Sequence, residues 1–250
     1  MRPGALILLR HGQSTANAEG RFTGWVDVPL TTRGEQEALE AARLLRRAGL
    51  APEVVHTSMM SRSISTADII LAELDRLWLP AQRTWRLNER QYGALTGRRK
   101  TEVRAEAGPD RYHCWRRSLH GRPAPLPPQE LAQLRADPRY VALRPHGIPA
   151  VESLADMIPR VAPYWADVLA PQLRRGLTVL VAAHGNSLRA LSVVLDRRTP
   201  AEVEQLNIPT GAPLRYEFDR DLRPVLRGGG YLDPHTAQAK ADAVAAEGAA

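Results

Sequence analysis

Leu6-Ile7-Leu8-Leu9-Arg10-His11-Gly12-Gln13-Ser14 is the stretch on which the fold turns. Four apolar residues in a row are too few for a buried helix and suit a strand covered on both faces. The run stops at Arg10-His11-Gly12, three residues with no place in an apolar core. In an open parallel sheet, ligands bind just beyond the carboxyl ends of the strands. Gly12 lets the backbone come close to a ligand. Arg10 offers a planar fork of donors that suits phosphate. His11 offers an imidazole that can be neutral, and so nucleophilic, near neutral pH. A lone Arg-His-Gly reads more plainly as a satisfied histidine at a strand end. A second unit of the same kind weighs against that reading. Residues 177–183 carry the strongest strand signal in the chain and run into His184-Gly185-Asn186-Ser187.

Outward from the first strand, the pattern alternates. Residues 20–29 read as a loop holding Phe22-Thr23-Gly24-Trp25. Thr32 and Glu35 have capping-box spacing, and Ala38, Ala41, Ala42, Leu45 and Ala48 share a helical face that Gly49 closes. Residues 54–57 read as a second strand. Residues 58–77 read as a helix capped by Ser58 or Ser61, with Arg62 in its first turn. A cation there opposes the helix dipole, so Arg62 makes sense beside a bound anion. The plainer reading is an exposed arginine in an arginine-rich chain. Residues 84–87 read as a third strand, ending at Asn88-Glu89-Arg90-Gln91-Tyr92-Gly93. Residues 94–150, rich in proline, break the alternation and read as an insertion over the sheet end, or more plainly as a solvated loop with local helices. Residues 152–169 read as a helix bent by Pro159 and Pro163. A further helix starts at 188, and residues 214–218 alternate like an edge or antiparallel strand. From 235 onward alanine dominates, as in a mobile tail or a frayed helix. The expectation is α/β: a mainly parallel sheet flanked by helices on both faces. It forms one domain over residues 1–250, with a helical and loop insertion covering the active site.

Composition narrows the partners. The formal net charge is +7, which suits acidic ligands. All of the 34 basic residues except Lys100 and Lys240 are arginine. They are scattered, with no run of five, and aromatics are only 5%, too few for a base-stacking surface. Nucleic acid is therefore not an expected partner. Cys114 is the single cysteine, which leaves no disulfide framework and no cysteine metal cluster; beside Trp115 it reads as a half-buried structural thiol. No apolar stretch approaches a membrane span, and Met1 to Gly4 lead straight into the first strand. The expected location is cytoplasmic.

His-Gly occurs at 11, 120, 146 and 184. The pairs at 120 and 146 lie in proline-rich, aperiodic sequence and read as incidental. Those at 11 and 184 each end a buried-strand run, so the fold can bring two imidazoles to one sheet edge. With Arg10 and Arg62 they would surround one phosphoryl group and put a nucleophile in line. A metal role for His184 finds no histidine or carboxylate at helical ligand spacing, so no metal is expected.

Several segments now carry a specific resemblance. They are Arg10-His11-Gly12, Phe22-Thr23-Gly24-Trp25, Arg62, Leu87-Asn88-Glu89-Arg90, Tyr92-Gly93, Trp115-Arg116-Arg117, Ala183-His184-Gly185-Asn186-Ser187-Leu188-Arg189-Ala190 and Leu206-Asn207-Ile208-Pro209-Thr210-Gly211. Together they resemble the cofactor-dependent phosphoglycerate mutases of the histidine phosphatase superfamily, in order, from about residue 6 to 233. The resemblance implies phosphorylation of His11, with His184 as the second active-site histidine. It implies that Arg10 and Arg62 bind the transferred group, with Asn17 nearby, and that Glu89 is general acid and base. Thr23, Gly24, Tyr92, Lys100, Arg116, Arg117, Gly185 and Asn186 would hold a small phosphorylated carboxylic acid. It further implies 2,3-bisphosphoglycerate as phosphoryl primer, no metal, and a monomer, dimer or tetramer. A lysine at 100 is improbable by composition in this chain, so a compact ammonium has a use there.

The chain departs from the family pattern at Gln13, Ala16 and Gln91, where members commonly have Glu, Trp and His. These changes delete no catalytic role but bear on substrate and efficiency. Three functions compete: a mutase between the 2 and 3 positions of glycerate, a phosphatase or divergent mutase acting on a related phosphorylated or phosphonate acid, and a non-catalytic binder. Lys100, Arg116 and Arg117 favour the mutase, which must grip a second anionic group. His11, Glu89 and His184 argue against a pure binder.

Overall fold

Strand β1 (Leu6–Arg10) lies inside a six-stranded sheet. The structure, a computed structural model, describes residues 2–141, 143 and 147–246. His146, and the parts of the 94–150 insertion and of the tail at 142, 144–146 and 247–250, lie outside the described residues. The other strands are β2 (Val54–Thr57), β3 (Ala81–Arg83), β4 (Val179–Ala183), β5 (Leu214–Tyr216) and β6 (Gly230–Tyr231). Their order is β3-β2-β4-β1-β5-β6. The first four in that order are parallel; β5 runs antiparallel to β1, and β6 to β5. The sheet is thus mainly parallel, as expected.

The apolar run in β1 is explained by two cores. Leu6 and Leu8 pack with Val179, Val181 and Ala183 on one face, while Ile7 and Leu9 pack with Leu180 and Ala182 on the other. In chain order the helices are α1 (Thr15–Ala18), α2 (Thr32–Arg47), α3 (Ser61–Glu73), α4 (Lys100–Ala107), α5 (Pro109–Arg117), α6 (Pro128–Ala136), α7 (Leu154–Tyr164), α8 (Ala170–Arg174), α9 (Gly185–Asp196), α10 (Pro200–Gln205) and α11 (Pro234–Ala246). Helices α2 and α3 close the second face through Ala41, Leu45, Ala67 and Ile70. Helices α7, α8 and α9 close the first through Met157, Val161, Leu173 and Leu188. Two smaller clusters fasten the insertion beside the sheet end. One joins Phe22 to Leu95, Val103 and Tyr112; the other joins Trp25 and Met60 to Tyr140 and Ile148. Among the described residues no helix is long and apolar enough to cross a membrane.

Several local expectations are corrected. Helix α2 is capped one residue earlier, by Thr31, whose Oγ1 accepts the Gly34 amide at 3.1 Å. Neither Ser58 nor Ser61 caps α3. Its N-cap is Met60, and the Ser61 amide is satisfied instead by Asp27 Oδ1 at 2.9 Å. The third strand is Ala81–Arg83, and Trp85–Leu87 is a single 3₁₀ turn. The helix expected over 152–169 starts at Leu154 behind a Ser153–Asp156 capping box and passes into a π turn at Trp165–Leu169. Pro159 and Pro163 each withdraw an amide from that ladder, and a looser turn follows. Cys114 is exposed, because it lies on the outer side of α5.

Candidate active site

The register of the central strands builds the centre of the site. Arg10 on β1 pairs with Ala183 on β4, so the next residue of each strand is a histidine at the same sheet edge. The His11 amide donates to the Ala183 carbonyl at 2.9 Å. The two imidazoles meet edge to face with centroids 4.9 Å apart. His11 is 3% exposed and His184 fully buried. His11 Nδ1 lies 2.7 Å from the Gly12 carbonyl. A carbonyl only accepts, so Nδ1 carries the proton and Nε2 keeps its lone pair. Burial, then Arg62, then Arg10, holds the His11 pKa well below the usual histidine value. Burial, then Arg62 and His11, does the same for His184. Both rings are therefore neutral at neutral pH. His184 Nε2 shares a 2.8 Å hydrogen bond with Ser58 Oγ, and its Nδ1 is buried without a protein partner.

Arg62 is placed by α3 and by the loop of Gly24 to Asp27. It is 1% exposed, donates to the carbonyls of Val26 and Gly24 at 3.1 and 3.3 Å, and lies 3.9 Å from Asp27. Burial lowers its pKa to about 10, which leaves it charged. Thr66, one turn on, accepts the Gly12 amide at 3.1 Å and so ties α3 to the histidine loop.

Glu89 stands on a loop that is held from three sides. Its Oε1 accepts the Arg90 amide at 2.7 Å and the Asn186 amide, in the first turn of α9, at 3.2 Å. A helix N-terminus favours a carboxylate in that position. Its carbonyl accepts Trp25 Nε1 at 2.8 Å and Arg160 Nη2 at 3.1 Å. Arg160 is in turn clamped by Glu152 at 2.7 and 3.0 Å.

Above these groups opens a cleft walled by cations. Arg10, Lys100, Arg116 and Arg117 line it, and among the described residues Glu89 is its one carboxylate. Asn17, Thr23, Tyr92, Gly185 and Asn186 line it as well. Asn17 spends its Oδ1 on the Ser14 capping box, so Nδ2 is the donor it can offer. Arg117 donates to the carbonyls of Glu204 and Leu206, and burial followed by Arg116 lowers its pKa to about 10. Arg10 Nη1 donates to Ile208, while its Nε is buried without a partner. Cations gathered this densely suit a ligand with several negative charges.

Most of the residues singled out from sequence thus converge. Gly24 does not line the cleft; its carbonyl receives Arg62. His11, His184 and Arg62 do not line it either; all three are buried. Arg21 and Arg189 line the cleft and were not singled out. Val244, near the end of α11, also lines it, and its carbonyl lies 3.4 Å from Arg116 Nη2. Gln13, Ala16 and Gln91 are absent from the lining. Gln91 Oε1 instead accepts the Gly93 amide and Thr96 Oγ1, both at 3.3 Å. Among the described residues no group of three or more His, Cys, Asp or Glu could hold a metal ion.

The profile of the Histidine phosphatase superfamily (branch 1) matches residues 6–142. A 2,3-bisphosphoglycerate-dependent phosphoglycerate mutase of Thermobifida fusca is 51% identical, over 97% of this chain and 98% of its own length. A protein of the same name from Nitratidesulfovibrio vulgaris is 53% identical, over 98% of each. Among solved structures, a mycobacterial glucosyl-3-phosphoglycerate phosphatase complexed with VO3 superposes with a TM-score of 0.68 at 23% identity, covering 92% of this chain and all of its own. At that identity the likeness shows the fold alone.

Proposed function

The chain belongs to the histidine phosphatase superfamily and, within it, to the 2,3-bisphosphoglycerate-dependent phosphoglycerate mutases, and from this we propose that it interconverts 3-phosphoglycerate and 2-phosphoglycerate through a phosphohistidine at His11. The observation that carries the reading is the His11–His184 pair, 4.9 Å apart at the ends of paired strands, under a cation-walled cleft. When bound, 2,3-bisphosphoglycerate supplies the phosphoryl group that primes His11.

The roles follow from what each residue can do. Primed His11 gives its phosphoryl group to the free hydroxyl of the phosphoglycerate, and its Nε2, neutral and with its lone pair free again, then attacks the phosphorus at the other position and takes that group from its oxygen. Arg10 and Arg62 neutralise the charge on the phosphoryl oxygens. His184, with its ring centroid 4.9 Å from that of His11, offers a hydrogen bond to the same oxygens. Glu89 takes the proton from the attacking hydroxyl and gives it back to the leaving one. Lys100, Arg116 and Arg117 hold the substrate's carboxylate and second phosphate, with Asn17, Thr23, Tyr92, Gly185 and Asn186 adding donors. Gly24 acts through Arg62. In this reading residues 94–150 are an insertion of a single domain, supplying Lys100, Arg116 and Arg117 to the cleft.

The test is an assay of the purified protein with 3-phosphoglycerate, following 2-phosphoglycerate and free phosphate together. Formation of 2-phosphoglycerate that accelerates on adding 2,3-bisphosphoglycerate, and that outpaces phosphate release, is the expected result. Phosphate released faster than isomer is formed would overturn the mutase reading in favour of a phosphatase.

A further inference from the structure

Arg189, Asn186 and Tyr92 form a chain of hydrogen bonds along the wall of the cleft. Arg189 Nη1 donates to Asn186 Oδ1 at 2.9 Å, and Asn186 Nδ2 lies 2.8 Å from Tyr92 Oη. A guanidinium carries donors only, so it decides which end of the Asn186 amide faces it. The oxygen turns to Arg189 and the NH₂ to Tyr92. The Tyr92 oxygen must therefore accept, and its own proton is left for something else. Tyr92 lines the cleft, with the Arg90 guanidinium 4.5 Å from its ring centroid.

Arg189 is well placed to impose this orientation. It is 3% exposed, and its Nη2 donates to the carbonyls of Arg117 at 2.8 Å and Val203 at 2.6 Å. Those carbonyls belong to the last residue of α5 and to the last turn of α10, so the fork is fixed by backbone on two sides. Burial, then Arg117 and Arg90, lowers its pKa to about 9, which leaves it charged and donor-only at neutral pH.

We propose that Arg189 is a positioning residue: by holding the Asn186 amide in one orientation, it makes the Tyr92 hydroxyl a dedicated donor to the anionic group bound in the cleft. The proposal rests on the mutase reading of that cleft. Without Arg189 the amide could turn over, and Tyr92 would donate to Asn186 Oδ1 instead of to the ligand.

The test is a double-mutant cycle read by calorimetric titration with 3-phosphoglycerate, so that affinity and not turnover is measured. Tyr92→Phe should weaken binding about tenfold in the otherwise native protein, as for one hydrogen bond to a charged group. In an Arg189→Met background the same change should cost about twofold or less. Arg189 ties three elements together, so a second, isosteric background guards against misfolding. Asn186→Asp keeps the shape and the Arg189 partner, but its carboxylate accepts the hydrogen bond that the Tyr92 hydroxyl donates, so Tyr92→Phe should again add little. A tenfold penalty for Tyr92→Phe in every background would overturn the proposal, since Arg189 would then act independently. So would a Tyr92→Phe variant that binds as tightly as the native protein. Native protein with no affinity for 3-phosphoglycerate would remove the mutase reading and the proposal with it. Binding with fully independent penalties would remove the proposal alone.

Discussion

Lys100 and Arg189 mark the two limits of what a single residue reveals. Lys100 stands out because nearly every other cation is arginine, and it begins α4 on the wall of the cleft. An ammonium is compact and its three donors rotate; a guanidinium is planar and bulkier. Lys100→Arg is therefore expected to lower kcat/KM about tenfold or more although the charge is kept, the equivalent of one charged hydrogen bond. Native kcat/KM in that variant would mean the position needs only a positive charge. Arg189 stands in a segment that carries the resemblance but shows no role of its own there, for the opposite reason. It is one arginine among many on a stretch that reads simply as a helix, and no periodicity distinguishes a buried guanidinium from a solvated one. The catalytic histidines were legible because each interrupts an apolar strand, and an interruption at a strand end has few structural explanations. Gln13 is satisfied within its own loop, its Oε1 accepting Thr31 Oγ1 at 2.9 Å. Ala16 is buried, and it is not among the residues that line the cleft.

At the level of elements, the loop that carries Glu89 depends on a helix behind it. Arg160 of α7 reaches the carbonyls of Arg86 at 2.7 Å, Asn88 at 3.0 Å and Glu89 at 3.1 Å. Glu152 grips that guanidinium with both oxygens and also accepts the Gln91 amide at 2.9 Å. Both side chains are buried. Removing one partner of such a pair strands the other's charge. Glu152→Gln is thus expected to destabilise the protein by ~3 kcal/mol, read as a lower urea midpoint with an unchanged slope. A midpoint equal to that of the native protein would show that the clamp contributes nothing. None of this clamp could be read from sequence, because its members are joined only by the fold. The same holds for α3, whose first amide is satisfied by Asp27 from a distant loop, itself gripped by Arg139 at 2.6 Å. Local patterns place an element to within a few residues. They do not see a cap supplied from elsewhere, which is why α3 and β3 were misplaced while β1, β2 and β4 were not.

At the scale of the whole molecule, three buried histidines among the described residues couple folding to pH. Burial, with Arg62 and Arg10, lowers the pKa of His11; burial with Arg62 lowers that of His184. Burial lowers His56, which bridges Tyr164 and Gln172 at 2.7 Å each, from 6.5 to about 4. In the unfolded chain all three titrate near the ordinary value. Below it the unfolded state binds more protons than the folded one, so stability is full above pH ~6.5 and is lost as pH falls through the folded values. Each group contributes a slope of up to about 1.4 kcal/mol per pH unit in that window. The urea midpoint should therefore drop clearly between about pH 7.5 and pH 5. A flat midpoint would mean that these rings are not held neutral. The neutrality that makes the fold acid-sensitive is also what lets His11 act as a nucleophile, and that is the claim on which the account stands. It is tested by mixing the protein with 2,3-bisphosphoglycerate, quenching in base to preserve phosphohistidine, and mapping the phosphate by mass spectrometry of the peptides. The predicted result is phosphate on His11, lost in His11→Ala. Phosphate on His184, or label retained in His11→Ala, would contradict it.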